Sequence, residues 1–292
     1  MQKEYIYPIA MTIAGFDGSG GAGIQADIKT FSALGCFATS VLTALPVQNT
    51  QGVQAIYAVP DQAIQEQIRV LLSDIFPKAI KVGMVHTATL VDIIVETLSE
   101  YPKVPLIFDP VMVASSGHRL VQDATVATIV EKLIPKTDLI TPNIDEAAVL
   151  AEMKISSLED MYIAGERILK LGATNVLLKG GHLQSSTLTS LYFDNQGKVH
   201  SYESAKLETN NLHGTGCTLS SAITSFLARD FPMESAIIAG QCYTYNAIKN
   251  GMDVLTGKGR GPLNHFFDPE KLIKTLSFQR ASKIEKTDKN PV

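Results

Sequence analysis

Apolar residues along this chain alternate between two rhythms, short continuous runs and longer stretches with a helical repeat. The first run, IAMTIAG from Ile9 to Gly15, ends in a glycine turn; Ile24, Ile28, Phe31 and Leu34 then recur at helical spacing and Gly35 follows as a stop. Ser19 is the predicted N-cap of that helix. The runs FATSVLTAL and VQAIYAV predict strands, and from Asp61 the residues Ile64, Ile68, Leu71 and Ile75 share one helical face. AIKVGMV then precedes a helix through Leu90, Ile94 and Leu98, and PLIFD precedes one carrying Val126, Ile129, Val130 and Leu133. DLIT, a helix from Ile144, a helix from Ser157 to Leu171 and the run NVLLK continue the series. SLYFD and KVHSYES predict a hairpin turning at Asn195 to Gly197, followed by helices from Thr215 to Arg229 and from Met233 to Asn250. Such alternation predicts an α/β fold, a mostly parallel central sheet with helices on both faces in three layers. Residues 1–278 form one predicted domain, and the polar, aperiodic tail 279–292 is expected to be frayed or disordered.

Composition narrows the partners. With 45% hydrophobic and 18% charged residues the chain has the material for a core, and its net charge of -4 lacks the basic excess that nucleic acid binding needs. Cys36, Cys217 and Cys242 have no metal-ligand spacing, which argues against a disulfide framework or zinc and for a reducing cytoplasm. The short apolar N-terminus, with Glu4 and Pro8 in its approach, reads as a first strand and not as a signal peptide. From Thr30 to Pro60 there is no charge, but Pro46, Gln48, Asn49, Thr50, Gln51 and Gly52 interrupt the stretch, so no membrane span is expected.

Gly18, Gly20 and Gly23 match the G-x-G-x-x-G dinucleotide spacing. That reading also requires an acid about 20 residues further on to hold a ribose, and no Asp or Glu occurs from Ile28 to Pro60. Ligands in open α/β sheets bind beyond the carboxyl ends of the strands. Asp109, Asn143, Lys179 and the glycine turn all fall there, converging on one edge. Gly214, Thr215 and Gly216 open a long helix whose unpaired N–H groups and dipole suit a phosphate in transfer. Cys217 follows in its first turn, where the dipole is expected to favour thiolate. No Walker loop is present.

Taken together, AGFDGSGGAGIQADIKTF, LPVQNTQGV, KVGM, DPVM, SSG, LITPNIDEA, LLKGGH, NLHGTGCTLS and GRGPLNHF resemble the hydroxymethylpyrimidine and hydroxymethylpyrimidine-phosphate kinases of thiamine biosynthesis. These belong to the ribokinase-like superfamily, near the pyridoxal kinases. The resemblance extends from about Ile9 to Phe267 and implies a ribokinase-like fold, ATP and Mg²⁺, a small-molecule alcohol as substrate and a homodimer. It places the pyrimidine among Ala22, Asp27, Gln48, Met84 and Val111, with Cys217 near the hydroxymethyl group and Gly214, Thr215 and Gly216 on the phosphoryl oxygens. It assigns Asp109, Asn143 and Glu146 to Mg²⁺, directly or through water, and Lys179 to the ATP phosphates. The family usually has Ser or Thr at the position of Phe16 and Pro at that of Gly18. The rival substrate is a vitamin B6 alcohol, and the rival class is a non-catalytic ligand-binding relative.

Overall fold

In this computed structural model, residues 5–112, 121–181 and 187–276 are described. The SSG motif, His182 and the tail 279–292 lie outside them. After the short β1 (Tyr5–Ile6) come β2 (Ile9–Ala14), α1 (Gly23–Ala33), β3 (Phe37–Leu42), β4 (Ala44–Asn49), β5 (Gly52–Ala58) and α2 (Asp61–Asp74). β6 (Ala79–Val82), α3 (Ala88–Ser99), β7 (Leu106–Phe108), α4 (Asp123–Thr128), β8 (Leu139–Ile140), α5 (Ile144–Leu150), α6 (Leu158–Lys170) and β9 (Val176–Leu178) continue the alternation. The chain closes with β10 (Thr187–Phe193), β11 (Val199–Ala205), α7 (Thr215–Ala228), α8 (Met233–Lys249) and β12 (Thr275–Leu276).

Eight strands form one sheet in the order β11-β10-β9-β8-β7-β6-β2-β3. The six from β9 to β3 pair in parallel and only β10 and β11 are antiparallel. The parallel strands are short apolar runs because helices cover both their faces. Residues of β6 and β7 divide by parity: Ile80, Val82, Leu106 and Phe108 pack in one core layer, and Ala79 and Ile107 in the other. The same alternation turns Thr12, Lys81 and Asp109 toward α1 and α7. A polar seam therefore runs through the second layer, beneath the first turns of two helices.

The chain leaves β2 for β3 on one side and returns at β6 on the other. This switch point opens a crevice at the carboxyl ends of the strands.

Three elements depart from the sequence pattern for visible reasons. FATSVLTAL does not run as one strand: Thr43 donates its N–H to Ala14 O at 2.9 Å and its hydroxyl to Met84 O at 3.0 Å, and beyond it β4 leaves the sheet. β4 pairs antiparallel with β5 as a separate two-stranded ribbon. The helix after Asp123 widens into a π-turn at Ile129–Leu133 and then tightens into a 3-10 turn at Ile134–Lys136, where Pro135 prevents α-helical continuation. Ser19 is not the N-cap of α1; Ala22 occupies that place without a side-chain bond. No helix among the described residues is long and apolar enough to cross a membrane.

His265 anchors the C-terminal segment under α7. It is buried, its Nε2 lies 3.0 Å from Thr218 Oγ1, and its carbonyl accepts from Tyr243 OH at 2.6 Å. Burial, helped by the Lys29 charge, pushes its imidazole down to about 4. The unfolded chain, with the ordinary value near 6.5, binds this proton first, so the stability His265 contributes is complete above pH 6.5 and is lost as pH falls toward 4. Between pH 7 and pH 5 its share of the loss is about 2 kcal/mol. Urea denaturation at the two pH values checks this, with His265→Asn showing the smaller difference.

Candidate active site

The glycine turn after β2 is organised by Asp17, a residue the sequence pattern did not single out. Its carboxylate accepts from the backbone N–H groups of Ser19 (2.9 Å), Gly21 (3.1 Å) and Ala22 (2.7 Å) and from Ser19 Oγ (2.6 Å). Its Oδ2 also lies 2.8 Å from His213 Nε2, so the turn is tied to the loop before α7. Burial alone would raise this carboxyl, but the bonds from His213, Ser19 and Ala22 outweigh it and hold it well below the usual range. The two departures from the family pattern meet here. The Phe16 ring lies 3.2 Å from where a Gly18 side chain would begin, so the larger residue fills space that the smaller one leaves.

The start of α7 faces this turn. Gly214 has φ +85°, and a β carbon on it would overlap the Gly21 carbonyl and lie 3.1 Å from Ala22 Cα, so only glycine brings the two loops together. Thr215 folds back on Leu212, with N–H to O at 3.3 Å and hydroxyl to O at 2.8 Å. Its N–H is thus occupied, and the hole rests on the first-turn N–H groups of Gly216 and Cys217, which have no intrahelical acceptor. The Gly23 N–H at the start of α1 also acts on this thiol, favouring its charged form, so the N-termini of two helices bear on one sulfur.

That thiol does not behave as the helix dipole alone predicts. Burial pushes Cys217 up to about 11, with Asp27 and Asp109 adding to the rise against the Lys81 charge. The sequence expectation of a thiolate is corrected: two buried carboxylates and loss of solvent outweigh the dipole and favour the neutral thiol.

Asp109 extends from the end of β7 and is 2% exposed. Its oxygens take bonds from Lys179 Nζ (3.2 Å), Thr141 Oγ1 (3.2 Å) and Ser220 Oγ (3.4 Å). Burial would raise it, but the Lys179 and Lys81 charges hold it below the ordinary range. Lys179 sits at the end of β9 beside Asn143, with Nζ 3.3 Å from the position a Gly216 side chain would take. Asn143 caps α5: its Oδ1 accepts from Glu146 N–H at 2.9 Å, and Glu146 Oε2 accepts from Asn143 N–H at 2.8 Å. Burial, together with Asp109, pushes the Glu146 carboxyl up to about 7 despite Lys179. Asp109, Lys179, Glu146 and the α7 hole therefore share one corner.

The ring-binding candidates line the neighbouring part. Met84, after β6, lies against Gly15, Val111 donates its N–H to Asp109 O at 2.8 Å, and Gln48 is half-buried on the ribbon with no side-chain hydrogen bond among the described residues. Asp27 stands apart. It is wholly buried, and its oxygens accept from Thr12 (2.6 Å), Ser221 (2.7 Å) and Lys81 Nζ (2.8 Å to each oxygen), so it supports the pocket from beneath. Lys81 was legible only as the single charge in the apolar run AIKVGMV. A separate cleft of about 540 Å³ opens at the ribbon's base between Ile56, Ala58, His86 and Gln122, and no predicted site residue lines it.

The sequence profile described as phosphomethylpyrimidine kinase matches residues 17–264, which include every site residue predicted from the sequence. The chain belongs to that family. Among relatives of this kinase, a hydroxymethylpyrimidine/phosphomethylpyrimidine kinase of Rhizobium meliloti is 43% identical over 259 residues, covering 88% of this chain and 97% of that one. A crystal structure of phosphomethylpyrimidine kinase from Clostridium difficile is 41% identical, with a TM-score of 0.73 over 82% of this chain and 99% of the other. The pyridoxal kinase of Staphylococcus aureus, in complex with AMP-PCP and pyridoxal, is 30% identical, with a TM-score of 0.83 over 93% and 100%. The family answers the question raised by the glycine spacing near the N-terminus: the turn belongs to a kinase fold and the dinucleotide match is coincidental.

The carboxylates fit a divalent cation. Mg²⁺ takes one or two carboxylates and fills its shell with phosphate and water. Asp109 and Glu146 form an all-oxygen pair whose mutual repulsion already raises Glu146. Asn143 fits as the residue that orients Glu146, because its own side-chain oxygen is engaged.

Proposed function

We propose that this kinase transfers the γ-phosphoryl group of ATP to the hydroxymethyl oxygen of 4-amino-5-hydroxymethyl-2-methylpyrimidine, and also phosphorylates the resulting monophosphate. The observation that carries the reading is the meeting of the α7 hole with Lys179 and Asp109 at the switch-point crevice. Phosphoryl transfer asks a protein mainly for positioning and charge neutralisation. Lys179 neutralises the ATP phosphates, the N–H groups of Gly216 and Cys217 hold the moving oxygens, and Cys217 holds the hydroxymethyl group. Asp109 and Glu146 hold Mg²⁺, which supplies charge screening between the phosphates when bound. Ala22, Met84 and Val111 enclose the pyrimidine, and Gln48 pairs with its amine and adjacent ring nitrogen as amides do with adenine.

A second reading, phosphorylation of a vitamin B6 alcohol, draws on the close match to the Staphylococcus aureus protein with bound pyridoxal. Gln48 separates the two, because a B6 ring has no amine beside a ring nitrogen. Gln48→Leu is expected to lower kcat/KM for the aminopyrimidine alcohol about 10- to 100-fold and that for pyridoxine by less. Steady-state kinetics on both alcohols tests this; equal losses remove Gln48 as the selector, and a wild-type preference for pyridoxine puts the second reading first.

The three free thiols suit a reducing cytoplasm. A homodimer completes the proposal: Leu45, Val47 and Tyr57 on the ribbon are 40%, 47% and 63% exposed, and sedimentation at micromolar concentration checks it.

A further inference from the structure

The GRGPLNHF segment takes no part in the chemistry proposed above, yet the backbone just before and within it touches both walls of the crevice. On one side it holds the tip of the β4–β5 ribbon. Gly259 donates its N–H to Thr50 Oγ1 at 3.1 Å, and Arg260 donates its N–H to Thr50 O at 3.0 Å. A β carbon on Gly259 would overlap the Thr50 carbonyl and stand 2.8 Å from Gln51 N, so the two backbones lie in direct contact.

On the other side the same segment holds the loop that opens α7. Gly261 O accepts from His213 N–H at 3.1 Å, and Pro262 bridges His213 in parallel. Pro262 Cβ is also 3.0 Å from where a Gly21 side chain would begin, which places the strap against the glycine turn as well. Asn211 fixes its far flank, donating from Nδ2 to Gly251 O and Val254 O at 2.7 Å each. Thr50 is two residues from Gln48, and His213 immediately precedes Gly214. A few residues of strap thus connect the ring-binding amide to the phosphoryl hole.

We propose that Thr50 is a positioning residue: clamped by Gly259 and Arg260, it sets the spacing between the Gln48 amide and the Gly216–Cys217 hole, and so selects alcohols whose ring edge and hydroxymethyl group match that spacing. The proposal rests on Gln48 binding the ring. Its consequence is specific, because Thr50 acts on turnover only through Gln48. Loosening the clamp lowers the efficiency of the substrate that uses the amide and leaves ATP handling alone.

A double-mutant cycle tests it. Thr50→Val keeps the side-chain shape and removes the acceptor for Gly259 N–H. It is expected to lower kcat/KM for the aminopyrimidine alcohol about tenfold, chiefly through KM, with KM for ATP unchanged. Thr50→Ser restores the acceptor and most of the activity. In a Gln48→Leu background the Thr50→Val loss disappears, and the loss for pyridoxine is small throughout. Gly259→Ala, which presses on the tip from the strap side, gives the same selective pattern and serves if Thr50→Val folds poorly by thermal unfolding. Additive losses in the cycle, equal losses for both alcohols, or no benefit from Ser over Val would overturn the role of Thr50 while leaving Gln48 in place. If Gln48→Leu alone affects neither alcohol, the ring assignment falls, and the strap proposal falls with it.

Discussion

Replacing Lys81 with methionine will lower the unfolding free energy by about 3 to 5 kcal/mol, read as a fall in Tm of roughly 10 °C. The ammonium has no exposed surface and lies 2.8 Å from both oxygens of a carboxylate that is equally buried. Burial works against its charge, but the Asp27 and Asp109 carboxylates raise it above the ordinary lysine range. Methionine matches the stem and removes the only cation bonded to Asp27 among the described residues. Thr12 and Ser221 still donate, but a neutral hydroxyl does not offset an uncompensated buried charge. The double substitution Lys81→Met with Asp27→Leu removes both charges and is expected to recover much of the loss. Urea and thermal denaturation of the apo protein check both variants. Wild-type stability in Lys81→Met would show that the pair contributes nothing to the fold.

Cys217→Ala is expected to reduce kcat about 100-fold with ATP affinity nearly unchanged. The serine variant separates two accounts of the role. A thiolate base would need the sulfur's acidity, which a hydroxyl cannot supply. The thiol is instead pushed up to about 11 by burial and by the Asp27 and Asp109 carboxylates, so a neutral group held against the substrate hydroxyl fits better. Cys217→Ser should therefore retain much more activity than Cys217→Ala. Steady-state kinetics with both substrates varied checks this, and a serine variant as inactive as the alanine variant would restore the thiolate account.

The periodic elements were legible because burial on both faces makes the parallel strands apolar runs, and amphipathic helices such as α2 repeat at the helical spacing. The strand-end residues Asp109, Asn143 and Lys179 were legible for the topological reason that parallel strands deliver their ends to one edge. The ribbon was not. β4 and β5 have ordinary strand composition, and what separates them from the sheet is the pair of bonds at Thr43, which no local pattern encodes. Asp17 was missed because a carboxylate in a glycine turn reads as a turn former, and only folding brings His213 against it across 196 residues of separation. The β1–β12 pair was missed because each strand is two exposed residues long.

That last pairing sets where the ends of the body lie. Tyr5 faces Leu276 and Ile6 faces Thr275, just ahead of the point where β2 begins. The crevice lies past the other end of β2, at its carboxyl terminus. The described body therefore begins and ends at one corner, at the opposite end of β2 from the reactive mouth. A second enzyme or a surface-immobilisation tag joined directly at Tyr5 or Leu276 is expected to leave diffusion of vitamin precursors into the pocket unobstructed.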